Sequence, residues 1–306
     1  MIIIKDIVIL LVSIIVIGKG AVWLVDAAAR VAKHFGNSEL VIGLTVVAFG
    51  TSAPEFGVTI LAAIRGMGDI SVGNIVGSNI FNLGFILGGT AIIHSLKTSR
   101  TIVFRDGFFL LFGGILLSVF LWDLTLSKIE GIVLFTLLVL YLLYLYFKKE
   151  TIETEEPTHA MYRWDPILLF VGIGLVIVGS HFLVESAVSI ARFMGVSDWV
   201  IGATIIAAGT SAPEFATSLT AAMKSRYGMS VGNLIGSDIF NLFGVLGVAG
   251  MMRNLSVGHD AHINLIILSF MIAVVLIFMR TGWVVSRKEG IILVMIGLLR
   301  WIYSFS

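Results

Sequence analysis

The chain has 306 residues, of which 58% are apolar and 13% charged, with a mean hydropathy of +1.04. A soluble domain carries about 25% charge, so this is the composition of a polytopic membrane protein, with room for about ten spans of about 20 residues each. A net charge of +1 argues against a nucleic-acid partner, and the absence of cysteine excludes disulfides and thiolate metal sites.

In chain order, apolar runs predict helices near 7–33, 39–64, 71–95, 103–122 and 129–147. The opening run lacks a basic leader and a small-residue cleavage pattern, so it is expected to be a first helix and not a removed signal. The polar stretch KKETIETEEPTHAMYRWD at 148–165 is expected to be a linker. A second set of helices follows near 166–193, 198–223, 230–252, 263–279 and 288–304. The expected fold is an all-α membrane protein of ten transmembrane helices, divided into five-helix repeats at 1–147 and 166–306. Five is odd, so the second repeat must enter the membrane inverted relative to the first. With the N-terminus outside, 13 Lys and Arg fall on inner loops and 6 on outer ones. That bias predicts a multi-pass protein of the cell membrane with both termini extracellular and the linker cytoplasmic.

Within the second and third helices of each half lies a repeated string. VIGLTVVAFGTSAPEF at 41–56 returns as VIGATIIAAGTSAPEF at 200–215, identical at twelve of sixteen positions. SVGNIVGSNIFNL at 71–83 returns as SVGNLIGSDIFNL at 230–242, identical at ten of thirteen, at the same offset of 159 residues. The offset runs without a gap from Leu24/Leu183 to Leu83/Leu242. Each copy places a glutamate, Glu55 or Glu214, at membrane depth, where a charge costs roughly 2.5 kcal/mol or more and marks a functional site by default. Paired copies of such a site suggest a transporter built from internal repeats.

The chemistry of the string favours a hard cation. Pro54 donates no amide hydrogen, so the carbonyl of Gly50 loses its helical partner, and Pro213 does the same to Gly209. Lipid offers such carbonyls nothing. Together with the Thr51 and Ser52 hydroxyls and the Glu55 carboxylate they make an oxygen-only cluster. Ca²⁺ takes six to eight oxygens at about 2.3–2.6 Å, and two glutamates would neutralise one such ion. Ser78 and Asn82 share a face of the next helix, as do Ser237 and Asn241. Gly73, Gly77, Gly232 and Gly236 form small-xxx-small pairs that let helices approach closely. A proline kink or a GxxxG alone reads as packing; the buried Glu beside each Pro makes the pair an ion site.

These residues resemble the two α-repeats of the sodium/calcium exchanger family, within the cation/calcium antiporter superfamily. GTSAPE and GNxxGSNxFN match its signature in the first half, and the second half matches with Asp238 in place of the motif's second Asn. The resemblance covers the whole ten-helix layout. It implies an antiporter that moves Ca²⁺ against Na⁺ by alternating access, with no cofactor and no obligate protein partner beyond the lipid bilayer. By resemblance, Glu55 and Glu214 bind Ca²⁺ with the carbonyls of Thr51 and Thr210. Na⁺ sites draw on Ala48, Ser52, Glu55, Ser78, Ala207, Thr210, Ser211, Glu214 and Ser237, and helices 1 and 6 slide to switch access. Some prokaryotic and all potassium-dependent relatives carry an aspartate where this chain has Asn241. Here both central positions are amides, Asn82 and Asn241, which puts potassium use in doubt. Asp238 lies one turn earlier, and both a cavity-facing and a neighbour-facing orientation are open.

Other residues read as structural. Asp26 and Glu185 are matching acids late in helices 1 and 6; a helix-end or gating contact is open, and a solvated face is the simpler expectation. His181, one turn before Glu185, reads as a satisfied core histidine. The six tryptophans lie near predicted helix ends, which suits interfacial anchoring. No phosphate loop, nucleophile–base pair or metal–histidine spacing occurs, so no enzyme is expected. The rival functions are a Ca²⁺/H⁺ antiporter on the same fold, a passive cation channel and a non-transporting scaffold. The GTSAPE hydroxyls favour Na⁺ over H⁺, and the inverted repeats with two buried acids argue against the last two.

Overall fold

The computed structural model describes residues 2–148, 160–196, 201, 205 and 207–303. Most of the expected linker, residues 149–159, lies outside the described residues, as does most of the start of the helix expected from 198. The described chain is helical: α1 (Ile2–His34), α2 (Glu39–Thr51), α3 (Ala53–Ile64), α4 (Gly68–Ile93), α5 (Ile102–Asp123) and α6 (Lys128–Phe147). The second half holds α7 (Asp165–Phe193), α8 (Ala207–Thr210), α9 (Ala212–Met223), α10 (Tyr227–Met252), α11 (Asp260–Arg280) and α12 (Arg287–Tyr303). By length and composition, seven of these helices can cross a membrane, and eight if the bent pair α2–α3 is taken as one span. Asp165 opens α7, one residue inside the expected linker.

Corresponding sequence signals end and begin corresponding helices. α1 and α7 stop at Gly36 and Gly195, α3 and α9 at Gly66 and Ser225, each with positive φ. Ser127 and Glu130 form a capping box at the start of α6. Ser286 and Glu289 exchange the same reciprocal bonds at the start of α12. Two short antiparallel strand pairs clip the loops of one half to those of the other. Leu96 pairs with Val285 and Leu126 with Leu255. Every one of these correspondences keeps the 159-residue offset, well beyond the 24–83 stretch in which sequence identity shows it.

The apolar core is divided. One large cluster draws on α4, α5, α6, α10 and α11, with Ile75, Leu83, Leu110, Leu134, Phe243 and Leu268 fully buried. α1 and α7 contribute to two smaller clusters, one around Leu24, Ala28 and Leu169 that also takes in Ile42, Val47, Ala221 and Met229, and one around Ile17, Ala21 and Val176. These two helices meet along a glycine seam: a Cβ on Gly20 would lie 3.0 Å from the Gly172 carbonyl, and one on Gly172 2.9 Å from the Gly20 carbonyl. Small residues at such crossings let backbones touch. The pair is stapled at both ends. Arg30 donates to Asp165 at 2.9 and 2.7 Å, and Ser189 to Asp6 at 2.5 Å.

Candidate functional site

The α2–α3 span breaks at Ser52, where ψ is 7°, and the two segments bend by 51°. Pro54 falls in the first turn of α3 and has no amide to offer Gly50, while the Ser52 amide reaches Ala48 at 3.0 Å. The second copy breaks the same way at Ser211, with ψ at 9° and Pro213 in the first turn of α9. Each break places a glutamate in the first turn of the helix that follows, where the helix dipole favours a negative charge. Glu55 and Glu214 are fully buried.

The two carboxylates are bonded crosswise. Ser211 donates to Glu55 Oε1 at 3.0 Å, and Ser52 donates to Glu214 Oε1 at 3.2 Å. The neighbouring helices brace them. In α4, Asn74 donates to the Glu55 carbonyl at 3.4 Å and to Thr59 Oγ1 at 3.0 Å. In α10, Asn233 donates to the Glu214 carbonyl at 3.4 Å and to Ser218 Oγ at 2.9 Å. Thr51 ties the first break to α10, donating to Asn233 Oδ1 at 3.2 Å with Ser237 Oγ at 3.4 Å.

Further along α4 and α10, a chain of three amides runs through Asp238. Asn82 donates to Asp238 Oδ1 at 2.9 Å, Asn79 to the Asp238 carbonyl at 3.0 Å, and Asn241 to Asn79 Oδ1 at 2.9 Å. At Asn82 and Asn241 both helices widen into π-turns, over Asn82–Ile86 and Phe240–Val245. Such bulges gather at functional positions. Gly232 and Gly236 bring α10 against α2, a Cβ on Gly236 falling 2.7 Å from the Leu44 carbonyl.

This network leaves acceptors over. Among the described residues, the buried oxygens Glu55 Oε2, Glu214 Oε2, Asn82 Oδ1, Asn241 Oδ1 and Asp238 Oδ2 have no hydrogen-bond partner within the protein. A buried polar atom normally has one, so these five acceptors are available to a species that accepts electron pairs. Among the described residues no three His, Cys, Asp or Glu gather to hold a metal. The donor set is a mixture of carboxylate, amide and hydroxyl oxygens, which suits hard cations and not thiophilic or imidazole-binding metals.

Of the residues singled out in the sequence, hydrogen bonds join Thr51, Ser52, Glu55, Asn82, Ser211, Glu214, Ser237, Asp238 and Asn241. Ala48 is buried one turn before the break, and Thr210 is half-buried at the end of α8. Ser78 lines a cavity of about 100 Å³ with Gly73, Asn74, Gly77, Arg300 and Trp301. The Ala207 side chain lies outside the described ones. Sequence reasoning missed the braces Asn74, Asn79 and Asn233 and their partners Thr59 and Ser218. Asn74 and Asn233 stand in the repeated SVGN string, and that repetition was the available signal.

The family described as sodium/calcium exchanger protein matches residues 5–147 and 164–301. The sodium/calcium exchanger MaX1 of Methanosarcina acetivorans is 32% identical, over 94% of this chain and 95% of that protein. The inner membrane protein YrbG of Escherichia coli is 32% identical over 92% and 90%. Among solved structures, the sodium-calcium exchanger NCX_Mj soaked with Na⁺ and Ca²⁺ superposes with a TM-score of 0.85, at 32% identity and 97% coverage of both chains.

Proposed function

We propose that this chain, which belongs to the sodium/calcium exchanger family, exchanges Na⁺ for Ca²⁺ by alternating access to the site between Glu55 and Glu214. That it is an all-helical membrane transporter for cation and calcium exchange, and not an enzyme, follows from the family and the shared structure. The choice of Na⁺ as the counter-ion is our own reading. The crossed serine–glutamate bonds and the acceptors they leave unpaired carry it. In this reading Glu55 and Glu214 neutralise one Ca²⁺, with the carbonyls of Thr51 and Thr210 completing its shell. Ala48, Ser52, Ser78, Ala207, Ser211 and Ser237 offer neutral oxygens to Na⁺ when the carboxylates are shared among monovalent ions. Asn82, Asn241 and Asp238 form the floor, where Asp238 is the third acid. Both cargoes compete for the same carboxylates, so loading one releases the other.

The architecture proposed with this function is ten spans in two inverted repeats, 1–147 and 166–306, joined by a cytoplasmic linker at 148–165, with both termini outside. The constant offset of the bonded pairs and the positive-charge bias of the loops support it. The test is Ca²⁺ counterflow in proteoliposomes with K⁺ absent and pH equal on both sides. A Na⁺ gradient alone is expected to drive Ca²⁺ in the opposite sense. Flux driven by a pH gradient, with none from Na⁺, would overturn the assignment in favour of proton coupling.

A further inference from the structure

Among the described residues, polar contacts fasten the α1–α7 pair to itself at both ends, and an ion pair ties one end to the rest of the bundle. Asp26, late in α1, accepts from Lys224 Nζ at 2.7 and 2.8 Å; Lys224 lies in the turn between α9 and α10. The two side chains are about a third exposed, at 30% and 33%. Carrying both residues across the 159-residue offset gives a second pair: Asp26 corresponds to Glu185, late in α7, and Lys224 to Arg65, in the turn between α3 and α4. Acid stands for acid and base for base, yet this second bridge is not made. Glu185 is 68% exposed and lies 3.9 Å from the imidazole of His181 on its own helix. Arg65 is exposed and has no ion-pair partner among the described residues.

The surrounding charges leave these two pairings as the natural ones. Beside Lys224, Arg226 is engaged by Glu39, and Arg30 by Asp165. Beside Arg65, the Arg253 guanidinium lies over Gly66. The staples within the α1–α7 pair obey the same offset and are both closed, Arg30–Asp165 and Ser189–Asp6. Among the polar contacts that obey the offset, the staples keep the symmetry and the attachment to the bundle breaks it. In an inverted-repeat transporter each half adopts, in the opposite state, the arrangement its partner holds now.

We infer that Asp26–Lys224 and Glu185–Arg65 are two alternating latches, one at each end of the α1–α7 pair, with one closed in each access state. The inference rests on the antiport reading above. In the state seen here the Asp26–Lys224 latch holds one end of the pair to the bundle and the Glu185–Arg65 end is released. Moving the pair across breaks the first bridge and forms the second, so neither latch leaves a charge without water or a partner. Reversal exchanges one partly exposed ion pair for another, which keeps the two states close in free energy.

Introduced thiols test this cleanly, because the chain has no cysteine. Arg65→Cys with Glu185→Cys, and separately Asp26→Cys with Lys224→Cys, are made in the full chain, reconstituted, and treated with a short bifunctional thiol reagent under Na⁺ or Ca²⁺ gradients of either sense. The yields of the two pairs are expected to vary in opposite directions. Adding Lys224→Gln to the 65/185 pair is expected to raise its yield two- to five-fold, the ratio that a partly exposed ion pair supports. Yields that rise and fall together, a 65/185 pair that never cross-links, or no response to Lys224→Gln overturns the latch. Wild-type counterflow is run beside them. Exchange without the 65/185 cross-link sinks the latch alone, whereas opposed cross-links with no Na⁺-driven exchange sink the antiport reading and leave the latch standing.

Discussion

Ser211 lies 3.0 Å from Glu55 Oε1, so the first-half glutamate is held by a hydroxyl from the second half. The reverse bond, Ser52 to Glu214, makes the two carboxylates dependent on each other's repeat. A serine hydroxyl bonds Oε1 of each acid, and Oε2 of each has no hydrogen-bond partner among the described residues. That division lets one oxygen fix the rotamer while its neighbour is available to an ion.

Glu55→Gln and Glu214→Gln should each abolish Ca²⁺ transport with the fold retained. An amide matches the shape but not the charge, and losing one member of a buried charged set costs about 3 kcal/mol or more, roughly a hundred-fold in affinity. Isotope flux in liposomes, with thermal unfolding as the control, measures this. Near wild-type flux in either variant removes the glutamate pair from the centre of the mechanism.

Ser52→Ala and Ser211→Ala should weaken Ca²⁺ by about ten-fold each, the effect of about 1.4 kcal/mol from one hydrogen bond to a charged group. Because the bonds are crossed, the two variants should behave alike although they lie in opposite halves. Half-saturation constants differing by more than ten-fold between them would show that the repeats do not share the load.

Asn74→Ala and Asn233→Ala should act on stability before transport. Each removes a bond to a glutamate carbonyl and one to a hydroxyl, at a cost of about 1–3 kcal/mol where the freed groups are buried. Asn233 is fully buried and Asn74 partly so, so the α10 variant should melt lower. Equal melting temperatures would argue against the brace.

How much of this was legible beforehand depended on what each residue leaves in the sequence. The break at Ser52 was readable because Pro54 removes an amide, a property of one residue type. The buried glutamates were readable because charge is rare at membrane depth. The braces were not singled out: an asparagine in an apolar helix looks the same whether it holds a carbonyl or lines a pore, and only the fold chooses. The π-turns at Asn82 and Asn241 have no residue signature at all. Asp26 shows the same limit. A solvated face was the simple expectation, but Lys224, nearly two hundred positions away, is brought against it by packing.

Asp238→Asn addresses the ion that uses the floor of the site. Asp238 Oδ1 accepts from Asn82 and its other oxygen is unpartnered. If Glu55 and Glu214 balance Ca²⁺ as proposed, neutralising the third acid should raise the half-saturation for Na⁺ several-fold more than that for Ca²⁺, in a K⁺-free assay. Unchanged values for both ions would exclude a ligand role, and flux that requires added K⁺ would refute potassium independence.

The strand clips have a consequence for how the chain holds together. Leu96–Val285 and Leu126–Leu255 join the halves at both faces, and the crossed serines join them at the centre, so peptide continuity through 149–159 is not their main bond. Two polypeptides severed there should reassemble when co-expressed. Neither would carry a finished site by itself, since each acid waits for the other's hydroxyl.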